Sequence, residues 1–164
     1  MIKIGITGHR VLDKRFLKKY KKQVFKKLDE LKQKYHEIIL FSALADGADR
    51  LIVHEAIKLN IKFIAVLPMQ KELYQEDFDS TSKLEFDTLL KNAENILIIS
   101  HAKPFIRDRQ YELVGQYISE NSDILIALWD GKYNNLQGGT SEIIKYHLKN
   151  QKELWYLKVD RNGI

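Results

Sequence analysis

Short apolar runs alternate with helical patterns along the whole chain, and this alternation constrains the fold more than any other feature. The runs cover residues 2–7, 37–42, 62–67, 95–100, 123–129 and 153–159. Helical patterns lie between them, near residues 13–35, 47–59, 80–92, 108–121 and 140–150. Most runs are continuous stretches of Ile, Leu and Val, which is typical of strands buried on both faces of a parallel sheet. The pattern predicts an α/β fold: a single doubly wound domain over residues 1–164, with a mostly parallel sheet of about six strands.

Composition excludes several classes of protein. The chain has no cysteine, which excludes disulfide scaffolds, cysteine nucleophiles and thiolate metal sites. No stretch approaches the ~20 apolar residues of a membrane helix, and the first residues lack the layout of a signal peptide. His54-Glu55 is not followed by the second histidine of a zinc helix. We therefore expect a cytoplasmic protein with no membrane partner, no metal and no cofactor.

The positive charge is concentrated in one segment. Residues 13–34 hold ten basic and three acidic side chains, a net charge of +7, and the other 142 residues hold 17 basic and 19 acidic ones, a net charge of −2. The apolar spacing within this segment predicts an amphipathic helix with lysines on its outer face. That face is either solvated or a patch for nucleic acid or anionic lipid. Because no aromatic residue is interleaved on the lysine side of this helix for base stacking, we favour the solvated face and do not expect nucleic acid as a partner.

Residues typical of anion binding follow the predicted strands. In an open parallel sheet, ligands bind beyond the carboxyl ends of the strands, so these residues are expected to share one rim. The candidate binding residues for a nucleotide or phosphate are Thr7, Gly8, His9, Arg10, Asp46, Gly47, Asp49, Arg50, Arg107, Arg109, Asp130, Gly131, Gly138, Gly139 and Thr140.

The run from Gly138 to Ser141 is the strongest local motif. Two glycines followed by hydroxyl residues at a helix start expose backbone N–H groups, and the helix dipole adds positive potential there. Phosphate binding is one interpretation. The alternative is an ordinary capped turn, in which Thr140 or Ser141 is the N-cap residue.

The charged residues of the rim also have structural interpretations. Arg10 could hold a phosphate bidentately or form a salt bridge to Asp13 or Asp46. Asp46 is a plausible N-cap and Asp49 a first-turn carboxylate, whereas a functional interpretation has Asp49 or its neighbour at position 50 contact a ribose or phosphate. The arginines at positions 107 and 109 lie near a helix N-terminus, where either a bound anion or solvation would offset their charge.

In their order along the chain, these segments resemble the SLOG superfamily, the Rossmann-like group named for SMF/DprA and LOG proteins. The matching segments are Ile4–Arg10, Ala45–Leu51, Leu67-Pro68 with Tyr74 and Asp77-Phe78, Arg107–Tyr111, Asp123–Gly131 and Gly138–Thr140. The resemblance implies a nucleotide or nucleotide-derived ligand over the strand ends, sensed in bacterial conflict, defence or other signalling. The binding positions that it carries over are Gly8, Arg10, Gly47, Gly138, Gly139 and Thr140.

An enzymatic branch of the same resemblance is the alternative. LOG-type phosphoribohydrolases read Gly-Gly-x-Gly-Thr-x-x-Glu in the glycine loop, and nucleoside deoxyribosyltransferases are similar to the segment from Asp123 to Glu142. Here the loop lacks one residue and one glycine, and the glutamate is one position nearer. If the chain cleaves an N-glycosidic bond, Glu142 is the candidate catalytic carboxylate. It is otherwise a first-turn glutamate that interacts with the helix dipole.

A sensing domain without an effector must transmit its signal through another molecule. It does so either by assembling with copies of itself or by binding a partner. We therefore expect a homo-oligomer, whose nucleotide-type small-molecule ligand is its main partner.

Overall fold

The computed structural model of the chain describes residues 1–103 and 106–161. Its strands are β1 (Ile2–Gly8), β2 (Ile38–Ser42), β3 (Lys62–Leu67), β4 (Asn95–Ile98), β5 (Ile124–Trp129) and β6 (Glu153–Lys158). Its α-helices are α1 (Leu17–Tyr35), α2 (Ala48–Lys58), α3 (Lys71–Tyr74), α4 (Ser80–Asn92), α5 (Arg107–Glu120) and α6 (Thr140–Lys149). Two 3₁₀ turns, Lys14–Phe16 and Gln75–Asp77, precede α1 and α4.

The strands form one sheet in the order β4-β3-β2-β1-β5-β6, and every neighbouring pair is parallel. The predicted α/β fold with a parallel sheet is therefore confirmed. The chain builds outwards from β1 to β4 and then crosses back to place β5 on the other side of β1. Two strands that lead into helices on opposite faces thus lie side by side at the centre of the sheet.

Burial on both faces explains why the strands are continuously apolar. All six residues of β5 are buried. One face of the sheet packs in a core with residues of α1, α2 and α4, such as Val24, Ile52 and Phe86. The other face packs against α5 and α6 through Val114 and Ile144. Residues of the central strands therefore meet protein whichever way they point, as in a doubly wound sheet, whereas the edge strands β4 and β6 are partly exposed.

The segment after β3 contains the short helix α3, and its aromatic residues belong to the core. Tyr74 and Phe78 are buried, and their rings lie 5.0 Å apart. Both also pack against Phe86 of α4, at 5.6 and 5.1 Å. These two rings are therefore part of the support under the rim and are not exposed for stacking on a ligand.

The start of α2 packs tightly on the loop that leaves β1. The amide of Ala48 donates to the carbonyl of His9 at 3.0 Å. A Cβ added at Gly47 would lie 2.3 Å from the carbonyl oxygen of Arg10, and Gly47 has a φ of +80°. Only glycine fits a position with this backbone angle and this little space.

No helix in the described ranges combines the length and the apolar character needed to span a bilayer.

We expect Gly47→Ala to destabilise the fold by more than about 3 kcal/mol, because the added methyl group meets fixed backbone atoms of the β1 loop as well as an unfavourable φ. Gly131→Ala is the matched control: its φ is +83°, but nothing lies within 4 Å of an added Cβ. This control should lose only about 1–2 kcal/mol. Urea denaturation followed by circular dichroism measures both, and equal losses would contradict the packing account.

Candidate functional site

A cavity of about 340 Å³ opens beyond the carboxyl end of β1, at the point where the strand order reverses. This is the place where open α/β sheets bind ligands. Eight of the sequence-predicted binding residues line it: Thr7, Gly8, His9, Arg10, Asp49, Gly138, Gly139 and Thr140. Its apolar floor comes from β1, α5 and α6, through residues such as Ile6, Ile118 and Ile143.

Two guanidinium groups stand at the cavity. Arg10 lies over the ring of Tyr111, with 5.0 Å between its Cζ and the ring centroid, and its side chain is 46% exposed. Its nearest carboxylate, that of Asp77, is 3.9 Å away. Arg161 also lines the cavity, and its buried Nε has no hydrogen-bond partner among the described residues. Both cations therefore keep donors available for an anion.

The loop before α6 supplies backbone donors on the opposite side. A Cβ added at Gly138 would lie 2.8 Å from the amide nitrogen of Glu112, so the glycine lets this loop sit directly on α5. The amide of Gly138 donates to the carboxylate of Glu142 at 2.9 Å, and that of Gly139 donates to a carbonyl at 3.0 Å. The first amides of α6, beginning with Thr140, have no intrahelical acceptor and carry the positive end of the helix dipole.

Asp49 is a buried carboxylate on the cavity wall. Its side chain accepts a hydrogen bond from the amide of Ala45 at 3.2 Å. Burial raises the pKa of Asp49 to about 7, although this hydrogen bond and the nearby Arg10 and Arg50 oppose the rise. The charge of the cavity therefore changes near neutral pH, which is the behaviour expected of a functional group.

His9 connects the ends of β1 and β5. Its Nε2 accepts a hydrogen bond from the amide of Asp130 at 3.1 Å and lies 3.3 Å from the carboxylate of that residue. Burial, together with the charge of Arg161, lowers the pKa of His9 despite the attraction of Asp130. A neutral imidazole can accept from the amide, so His9 holds the two central strand ends together at neutral pH.

The structure does not bring Asp46, Gly47 or Arg50 to the cavity lining. Arg50 is buried and donates to the carbonyl of Leu44 at 3.0 Å and to the hydroxyl of Ser82 at 2.8 Å. It also pairs with Asp46 at 3.1 Å. This network joins the start of α2 to α4, so these side chains support the rim from outside the cavity.

The remaining candidates also lie outside the lining. Arg107 pairs with Asp77 at 2.8 Å, and Arg109 pairs with Glu112. Gly131 forms an open turn after β5, next to Asp130, whose role is its contact with His9.

Sequence reasoning missed several lining residues, and Arg161 is the most informative of them. Arg161 follows β6, at the same edge of the sheet as the loops after the other strands. The sequence-predicted site residues follow β1, β2, β4 and β5, and the same strand-end rule extended to β6 predicts Arg161. Asn134 and Gln137, in the loop ahead of the glycine pair, line the cavity as well. Among the described residues, no group of three His, Asp or Glu side chains is placed to hold a metal ion.

Solved structures share this fold. DNA processing protein A (DprA) from Streptococcus pneumoniae aligns with 95% of this chain at a TM-score of 0.69 and 16% identity. DNA processing protein A from Helicobacter pylori, a structure concerned with its single-stranded DNA binding mode, aligns with 94% at a TM-score of 0.65 and 19% identity. The molybdenum cofactor carrier protein of Chlamydomonas reinhardtii aligns with 96% at a TM-score of 0.56 and 17% identity. No protein-family model and no curated protein sequence matches the chain.

The fold is therefore the Rossmann-like fold of DprA, and the resemblance to the DprA-containing SLOG superfamily is confirmed at the level of the fold. The chain spans 50% of the Streptococcus pneumoniae protein, 64% of the Helicobacter pylori protein and 76% of the cofactor carrier.

The expectation that nucleic acid is not a partner is wrong. It rested on the absence of aromatic residues on the lysine side of the basic helix. The Helicobacter pylori protein that shares this fold binds single-stranded DNA, so that absence does not exclude nucleic acid.

The raised pKa of Asp49 gives a test of its environment. Folded Asp49 keeps its proton up to about pH 7, whereas in the unfolded chain its pKa has the ordinary aspartate value of 3.8. Stability contributed by this residue is thus present below pH ~4 and lost as the pH rises towards 7. We expect the free energy of unfolding of the wild type to fall by about 1–3 kcal/mol as the pH rises. Asp49→Asn, which has no carboxyl group to ionise, should not show this fall. Urea denaturation between pH 4 and 8 measures it. Glu37→Gln, an exposed carboxylate at the opposite edge of the sheet, is the control, and an unchanged profile in Asp49→Asn would contradict the burial account.

Proposed function

We propose that the chain binds and senses a nucleotide-type ligand in the strand-end cavity and does not cleave it. The observation that carries the proposal is the convergence of two guanidinium groups, Arg10 and Arg161, with the N-terminus of α6 around one cavity. Each of these groups favours an anion, and they come from three separate loops. A phosphate is the anion that fits such a set of converging donors.

The rest of the cavity suits the remainder of a nucleotide. The floor is apolar and extends under the rim between α5 and α6, through Val114 and Ile143, so it can cover one face of a base or sugar. Asn134 and Gln137 offer side-chain amides at the wall, which can hydrogen-bond base edges or ribose hydroxyls. A volume of about 340 Å³ lies within the range of small-ligand sites.

The position of Glu142 favours binding over glycosidic cleavage. Its carboxylate accepts from the amide of Gly138 at 2.9 Å and is not part of the cavity lining. A nucleophile or ion-stabilising carboxylate must face the reacting carbon, and this one is engaged in holding its own loop. We therefore assign Glu142 to the support of the glycine loop.

A single strand of DNA is the second candidate ligand. The fold is shared with a protein that binds single-stranded DNA, and one nucleotide of such a strand presents the same phosphate chemistry as a free nucleotide. The cavity opens at the rim of the sheet, so one nucleotide of a continuous DNA strand could enter it. In this case a free mononucleotide binds weakly and an oligonucleotide binds more tightly through the same residues.

We expect Arg10→Ala to weaken binding of a nucleoside monophosphate by about 10- to 100-fold, because it removes a charge-assisted hydrogen bond. Arg109→Ala is the matched control: it removes the same group from a sequence-predicted site residue that lies outside the cavity and should leave affinity unchanged. Isothermal titration calorimetry with a panel of nucleoside monophosphates and a short oligothymidylate measures both variants.

The same titration separates the candidates. Tight binding of a nucleoside monophosphate that is recovered intact by chromatography supports nucleotide sensing. Release of free base, abolished in Glu142→Gln, contradicts it and establishes a glycosidic-bond enzyme. Binding of the oligonucleotide alone, weakened by Arg10→Ala, establishes the single strand as the ligand. Equal effects of the two arginine substitutions would overturn the site.

A further inference from the structure

A second concave feature, separate from the strand-end cavity, lies between α1 and the edge strand β6. It is a groove of about 340 Å³. The groove is lined by Gln23, Lys26, Lys27, Glu30, Trp155 and Leu157. Helix α1 supplies the polar wall and β6 supplies the apolar one.

An indole ring stands next to the lysines in this groove. Trp155 lies in β6, where it pairs with Ile126 of β5, and it is half-buried against α1. The Nζ of Lys27 is 5.8 Å from the centroid of the indole ring. The fold thus places an aromatic ring from β6 beside the lysines of α1.

The positive charge around the groove is not neutralised locally. In the described part of the chain, no ion pair involves Lys26 or Lys27, the two lysines of the lining. Glu30 is the carboxylate of the lining, against the two lysines at positions 26 and 27. The groove therefore has an excess of positive charge, and its occupant should be an anion that also carries flat apolar groups.

The floor of the groove also holds an unmet hydrogen-bond acceptor. The side-chain oxygen of Gln23 is buried and has no partner among the described residues. A ligand with N–H donors beside its flat rings, as nucleobases have, can satisfy it.

From this juxtaposition of Trp155 with Lys26 and Lys27 we propose that the α1–β6 groove binds single-stranded nucleic acid. A base packs against the accessible part of the indole, and the two ammonium groups contact the phosphates on either side of it. Stacking on an aromatic ring beside a cationic track is the usual mode of single-strand binding. The site does not depend on what occupies the strand-end cavity.

The shape of the groove favours a strand over a membrane surface. Anionic lipid would be attracted by the same lysines. A flat bilayer, however, contacts protruding apolar side chains, whereas both Trp155 and Leu157 are half-buried in a concave surface. An extended chain can enter the groove and reach the indole.

Fluorescence anisotropy with a labelled oligothymidylate tests the proposal. We expect Trp155→Leu to weaken binding by about fivefold or more, and Trp155→Phe, which keeps an aromatic ring, to recover most of it. The double variant Lys26→Gln with Lys27→Gln should also weaken binding about fivefold or more.

The matched control is Lys18→Gln with Lys21→Gln, which removes the same charge from the flank of α1 opposite the groove residues, where both lysines are exposed. A clearly smaller loss than in the groove pair supports the proposal, and equal losses overturn it as a general charge effect.

Two further measurements keep this test apart from the strand-end cavity and from folding. Arg10→Ala should retain the groove-dependent part of oligonucleotide binding, so the effects of Trp155→Leu must persist in that background. Circular dichroism melting establishes that each variant is folded. Binding to phosphatidylserine vesicles without binding to the oligonucleotide would overturn the proposal in favour of a membrane surface. Oligonucleotide binding that is insensitive to Trp155→Leu and to both lysine pairs would overturn it as well.

Discussion

The pairing of β1 with β2 on one side and with β5 on the other is the constraint on which the site depends. Because β1 and β5 lead into helices on opposite faces of the sheet, a crevice forms between the carboxyl ends of these two strands. Arg10 enters it from the loop after β1, the N-terminus of α6 from the loop after β5, and Arg161 from the end of β6. None of the three is near another in sequence. The anion-binding character of the cavity is therefore a product of strand order.

The strands could be predicted from the sequence because strands buried on both faces are continuous apolar runs. The run at residues 62–67 coincides with β3, and the others differ from the observed strands by one or two residues at an end. The helical pattern from residue 13 begins as a 3₁₀ turn, since the carboxylate of Asp13 accepts from the amide of Arg15 and delays the α-helix until Leu17. The four residues of α3 were missed because one turn is too short to show a periodicity.

The rim could be predicted, but the direction of its side chains could not. A residue's position directly after a strand predicts that it lies near the crevice. The direction of its side chain depends on hydrogen-bond and ion-pair partners in distant segments of the chain. Arg50 turns to Ser82, 32 residues away, and leaves the cavity. Trp155 packs beside Lys27, which is 128 positions earlier in the chain. The sequence therefore shows no aromatic ring on the lysine side of the basic helix, whereas the fold places Trp155 beside Lys27.

The division of charge between the basic segment and the rest of the chain also affects how an anion approaches. Residues 13–34 carry a net charge of +7, and the other 142 residues carry −2. Such a molecule has a large dipole, so the field of a polyanion rotates it before contact and presents α1 first. Asp13, at the start of this segment, donates to the carbonyl of Asp160, the neighbour of Arg161. If a long anion binds along α1, as proposed, one end of it lies beside the crevice, and its search for the cavity is then confined to the surface of one helix.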